Sequence, residues 1–170
     1  DIGDVVLKLA VLSNYMNLNS QFSSFWYDNM VFFQQFLPAA HDVLSLSRMD
    51  PTGCDLLPTQ VLREAIRLAL NVYLALVRRF FGIVFDCVST CRMRVLQFLG
   101  KYALDWSSFQ SLHMWTFVIL GIADVAACPA WAIAHVYHAM EKLELRDWPD
   151  AVNHLREICW CDKLCQDDLQ

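Results

Sequence analysis

The side chains best suited to chemistry in this chain lie near its end, where His154, Cys159, Cys161 and Cys165 crowd together. Imidazole and thiolate groups are zinc ligands, but zinc wants four donors converging at roughly 2.0–2.3 Å. On a continuous helix Cys161 and Cys165 share a face, whereas Cys159 lies roughly 200° from Cys161. Three of them converge only if the helix ends there, and the chain contains no C-x-x-C pair. Ordinary buried or weakly exposed thiols are the expectation. Cys87 and Cys91, four positions apart, read the same way, and no cofactor is expected.

His135, His138 and Glu141 form a second ladder at helical spacing, with Asp124 nearby in sequence. Bundles build carboxylate–histidine metal sites from such pairs, but they draw them from several helices. Only one helix offers such a pair here, so a solvated face is expected. Catalytic motifs are missing: there is no glycine-rich phosphate loop, no strand-turn nucleophile elbow and no H-E-x-x-H. All five glycines are isolated. A cysteine–histidine dyad could still assemble in space, yet nothing in the sequence selects one, and the chain is not expected to be an enzyme.

Binding is a different matter. Glu64, Arg67, Asn71 and Arg78 make one polar stripe on an otherwise apolar segment. Arg67 is the cation there best suited to hold a carboxylate in a partly buried setting. Arg67, Trp115 and Trp131 are therefore the candidate ligand-binding residues. The aromatic block Phe22, Phe25, Trp26, Tyr27, Phe32, Phe33 and Phe36 could line a pocket for an apolar molecule, though rings at helical spacing are more simply core. Some of them point to opposite faces, so that helix is either buried all round or docks on something outside this chain.

The elements that must carry these groups are helices; strand signals are nearly absent. Apolar spacing predicts a helix over 4–14, with Val5, Leu9 and Leu12 inward. A second is predicted over 24–36, with Phe25, Trp26, Met30 and Phe33 on one face. Pro38 suits the first turn of a third, reaching 46. Residues 48–59, with Pro51, Gly53 and Pro58, read as loop. The longest helix is predicted over 59–84 and the next over 86–103. The latter should turn Val88, Val95, Leu96 and Leu99 inward and Arg92 and Arg94 outward. Helices over 107–126 and 129–145 follow, the second burying Ile133, Val136, Tyr137, Met140 and Leu143. Asp147 caps a last helix, with Pro149 in its first turn, running to about 161. Tryptophans at 115, 131, 148 and 160 fall about one helix-plus-turn apart, as anchors of helix junctions would. The fold class is all-α, one compact domain of seven or eight helices spanning 1–170.

Bulk composition agrees. The 170 residues are 56% apolar and 18% charged, which excludes disorder and allows a well-filled core. The most apolar run, 114–123, stops at Asp124 after ten residues, half of what a membrane span needs. The run over 61–84 is long enough but carries Arg63, Glu64, Arg67, Arg78 and Arg79. A membrane-associated helical protein is thus the weaker alternative. No secretory leader opens the chain, and it begins without methionine, so a piece of a longer protein is expected. Net charge is −5 and uneven: residues 61–101 hold seven Lys or Arg against two acids, and 141–170 hold eight acids against four bases. Two complementary surfaces of one globule explain this better than a duplex-binding patch, which calls for a net basic face.

Taken in order, these signatures resemble the regulatory domain of fungal zinc-binuclear-cluster transcription factors, in its C-terminal part. Glu64, Arg67 and Tyr73 match the family's opening of a long helix. Leu112, Trp115, Gly121 and Ala123 match its leucine–tryptophan helix. Trp131 opens the helix that ends in the family's Leu-Gly-Leu turn, here Leu143 and Leu145 with Glu144 in place of glycine. Trp148, Trp160, Asp162 and Cys165 match the closing helix. The likeness covers residues 64–168 and reaches the first sixty only vaguely. It implies a nuclear, non-enzymatic domain that contacts other parts of the same factor, or a second copy. A small-molecule effector is also implied, with no direct DNA contact and no membrane. Any zinc would belong to a separate upstream six-cysteine module, absent here. The alternative from another class is a helical carrier or enzyme for an apolar small molecule.

Overall fold

The computed structural model describes residues 1–49, 57–83, 87–124 and 130–165. Every regular element among them is helical: α1 Ile2–Asn19, α2 Asn29–Val31, α3 Leu37–Leu44, α4 Pro58–Phe80, α5 Val88–Lys101, α6 Gln110–Ile122, α7 Ala130–Lys142 and α8 Trp148–Ile158. Short 3₁₀ turns lie at Ser23–Tyr27 and Asp162–Cys165. One hydrophobic core runs through all the longer helices. The fold is all-α and single-bodied. No helix among the described residues is long and apolar enough to cross a membrane.

α4 and α6 form the centre. Both are buried on nearly every side, α4 through Ala65, Ala69, Val72, Tyr73 and Val77, and α6 from His113 to Leu120. α1 lays Val5, Leu9, Leu12 and Met16 against this centre at spacings of four and three. α5 packs along α4, and α7 along α6. α4 stops at Phe80, before the expected residue 84, because Gly82 takes a left-handed φ of 72° that ends the helix.

The segment expected to be one helix over 24–36 is broken. Asp28 leaves the helical region and its carboxylate accepts from the Met30 N–H at 2.8 Å, restarting the chain as α2. Residues Phe32–Phe36 then form a π turn in which the Leu37 N–H donates to the Phe32 carbonyl. Pro38 supplies the reason: it has no N–H to donate, and its ring crowds the carbonyl four residues back, so the turn before it widens. The bulge rephases the face. Phe32 and Phe36 stack inward at 5.4 Å, while Met30 and Phe33, expected to share a face with Phe25 and Trp26, are exposed although those two are buried. The aromatic block packs on itself and on Phe81, whose ring lies 5.2–5.5 Å from Trp26, Phe32 and Phe36.

Two further expectations are corrected. Arg92 points inward: its Nε donates to the Leu120 carbonyl at 3.2 Å and its Nη1 lies 3.5 Å from Asp124. A cation is favoured there because Leu120 belongs to the carbonyl-rich last turn of α6. On α7 the buried face is Ala132 and Ala139, flanked by half-buried His135, Val136 and Leu143, while Ile133 and Tyr137 face solvent. Small residues at the contact let α7 approach α6 closely. The tryptophans also divide. Trp115 and Trp160 are fully buried anchors, whereas Trp131 and Trp148 stay nearly half exposed.

Candidate functional site

α6 and α7 fold back on each other as a helical hairpin, and two cavities flank their contact. The larger, about 760 Å³, is an apolar groove. Phe117, Val118 and Ile122 of α6 form one wall, Val136, Tyr137 and Met140 of α7 the other, and Trp148 closes the end. The turn after α7 shapes that end. Glu144 adopts a left-handed φ of 55°. The Leu145 N–H then donates to the Met140 carbonyl at 3.0 Å, and the Glu144 N–H to that of Glu141 at 3.2 Å. This paired closure is a Schellman stop. The Asp147 carboxylate next accepts from the Asp150 N–H at 2.9 Å, starting α8, and Arg146 pairs with Asp150 at 2.9 Å. Glu141, Arg146 and Asp147 give the groove its charged rim.

The smaller cavity, about 420 Å³, lies on the other side of Phe117 and is lined by Tyr102, Leu104, Trp106, Trp131 and His135. Behind it stands a ladder of rings. Trp106 stacks on His113 at 5.0 Å and Phe117 on His135 at 4.2 Å. His113 Nε2 lies 2.9 Å from His135 Nδ1, so one imidazole donates to the other. Burial, with the neighbouring His135 and His138, pulls the His113 pKa down to about 4. Burial and His138 lower that of His135. Both rings are neutral at pH 7, and the bond between them needs one of the two facing nitrogens to be unprotonated.

The three residues singled out from sequence are not brought together. Trp115 is wholly buried, with its indole N–H donating to the Cys159 carbonyl at 2.6 Å and its ring 5.9 Å from Tyr73. Trp131 lines the smaller cavity. Arg67 lines a different one, between α3, α4 and α5, where Nε and Nη2 grip Glu64 at 2.8 and 2.6 Å. The cysteines near the end also separate. Cys159 and Cys161 are buried, with pKa values pushed up to about 12 by burial, while Cys165 is exposed. Among the described residues no group of three His, Cys, Asp or Glu side chains is placed to hold a metal.

The sequence does not mark the His113–His135 pair. No local signal reveals it, because the contact depends on how α7 packs against α6. Compared with protein families, curated proteins and solved structures, the chain matches none.

Proposed function

We propose that this chain is a non-enzymatic regulatory and interaction domain whose contact face is the α6–α7–α8 groove. The observation that carries the reading is that Ile133, Tyr137 and Trp148, between 44% and 68% exposed, all border one apolar groove of about 760 Å³. Large apolar side chains gathered at a concave, rimmed surface are the chemistry of an interface. A second apolar stripe, Leu7, Val11 and Leu18, lines the outer side of α1. The groove's charged residues sit on its rim, and Arg146 is already paired with Asp150. The buried thiols of Cys159 and Cys161 are protonated at neutral pH, which removes them as nucleophiles.

The fungal transcription-factor reading belongs to this proposal. What supports it is Glu144, which holds a left-handed backbone at the one place where the family's turn carries glycine. On this reading the domain works in the nucleus, masks or releases an attached DNA-binding module, and leaves zinc and promoter contact to that module. Its partners are other parts of the factor or a second copy.

The test fuses the full chain to an unrelated DNA-binding module in a fungal reporter strain. The fusion should change reporter output relative to the module alone, and Tyr137→Glu with Ile133→Glu should abolish the change. Equal output from all three would defeat the reading. A second reading, a carrier for an apolar small molecule, draws on the groove volume, which falls within the range of small-molecule sites. Saturable uptake of a hydrophobic dye, blocked by Val136→Trp, would favour it.

A further inference from the structure

A second cleft, away from the groove, is built from cations. It lies between α4 and α5 and is closed by the chain leaving α3. Two cavities of about 330 and 260 Å³ share Leu68 and Arg94 there. Arg48, Arg67, Arg94 and Lys101 line them, with Glu64 as the sole carboxylate among the described lining residues. The chain as a whole carries a net charge of −5. A surplus of positive charge gathered from three separate segments is therefore a local feature, not an overflow of a basic protein.

The cleft is also pre-arranged. Glu64 holds Arg67 through Nε and Nη2, which leaves its Nη1 end uncommitted. The same carboxylate accepts from the Met49 N–H at 3.3 Å. Arg63 donates to the Ser47 carbonyl and hydroxyl at 3.2 and 3.0 Å. The backbone on both sides of Arg48 is thus pinned to α4. Arg48 and Arg94 themselves form no ion pair among the described residues. A guanidinium presents a planar fork that fits an oxyanion with two parallel N–H···O bonds. Leu44, Leu68 and Cys91 supply a short apolar wall beside the arginines.

We propose that this cleft binds a small dianion with a short apolar body, a phosphomonoester or a dicarboxylate, gripped by Arg48 and Arg94 and steadied by Arg67. The site does not depend on the groove or on the regulatory reading. Cooperation of two separated guanidiniums favours two negative charges over one, and the cavity size limits the ligand to a metabolite rather than a polymer.

Isothermal titration of the full chain with inorganic phosphate, and separately with succinate, at ionic strength fixed with sodium chloride, tests this. Saturable millimolar binding is expected. Arg48→Gln and Arg94→Gln, both at exposed positions, should each weaken it by about tenfold or more. Arg79→Gln, an exposed cation of α4 outside the cleft, should leave it unchanged. Tighter binding of phosphate assigns the phosphomonoester, and tighter binding of succinate the dicarboxylate. No saturation by either probe below about 50 mM would overturn the proposal, since such weak binding is bulk charge attraction. Equal weakening by Arg79→Gln would also overturn it. So would tight duplex DNA binding lost in the Arg48 and Arg94 variants.

Discussion

The Ser13 hydroxyl lies 2.6 Å from the Tyr73 hydroxyl, joining α1 to α4 across 60 positions of sequence inside a region closed to water. Ser13 also donates to the Leu9 carbonyl at 2.6 Å, so its single proton is committed there and Tyr73 must be the donor to Ser13. Cys159 Sγ sits 3.4 Å from the same serine oxygen, and the Cys159 carbonyl accepts from Trp115. Four segments distant in sequence therefore meet at one polar node. Burial pushes the Tyr73 phenol well above its ordinary pKa, which keeps it a donor.

Removing that donor should be felt globally. Tyr73→Phe is expected to lower unfolding stability by about 1–2 kcal/mol, the cost of a buried hydrogen bond lost from a group that cannot turn to water. Ser13→Ala should cost a similar amount. The double variant should cost less than the sum, because the two changes delete one shared bond. Urea denaturation of the four proteins measures this. Strict additivity would show that the two hydroxyls do not support each other.

How much of this was legible beforehand depends on the range of the cause. Helix identity and the start of α8 at Asp147 rest on local chemistry, and the sequence shows them; the stop at Gly82 is local too, but the apolar spacing runs on past it to 84. The π turn is local too, but it needs the clash of Pro38 with the carbonyl before it, which apolar spacing does not register. Charge alone places Arg92 outside; the Leu120 carbonyl that draws it inward belongs to another helix. Periodicity put Ile133 and Tyr137 inside. They lie outside because the contact with α6 selects the small residues Ala132 and Ala139, and size at a helix contact overrides hydrophobicity. The groove exists for the same reason, so its exposed rim could not be read from α7 alone.

Glu144 pays a backbone penalty that glycine would not. Its φ of 55° places the side chain in a region where Cβ crowds the carbonyl, at about 1 kcal/mol or somewhat more. The side chain itself is exposed, so replacing it removes no core contact. Glu144→Gly should therefore raise stability by about 0.5–1 kcal/mol, the relief of strain less the extra freedom of an unfolded glycine. Glu144→Val should lower it, since a β-branched residue tolerates this conformation worst. Thermal melts of the three proteins decide the matter. Equal melting points would mean that the turn does not hold its left-handed form in solution.

The paired histidines should make stability depend on pH below the ordinary histidine value. His113 has an ordinary value near 6.5 when unfolded and about 4 when folded. Below 6.5 the unfolded chain thus takes up a proton that the folded chain refuses, and acid favours unfolding. The contribution is complete above pH 6.5 and is withdrawn as the pH falls toward 4. A second proton would also destroy the His113–His135 bond, which needs one ring as acceptor. The loss between pH 7.5 and 5 should be about 1–2 kcal/mol, read as a shift in urea midpoint. His113→Leu should flatten the profile over that interval by removing the group that titrates. His135→Gln, at a half-buried position that tolerates a polar side chain, checks the same point if the first variant folds poorly: it takes away one repelling neighbour and should reduce the slope. An unchanged slope in both variants would place the acid sensitivity elsewhere in the chain.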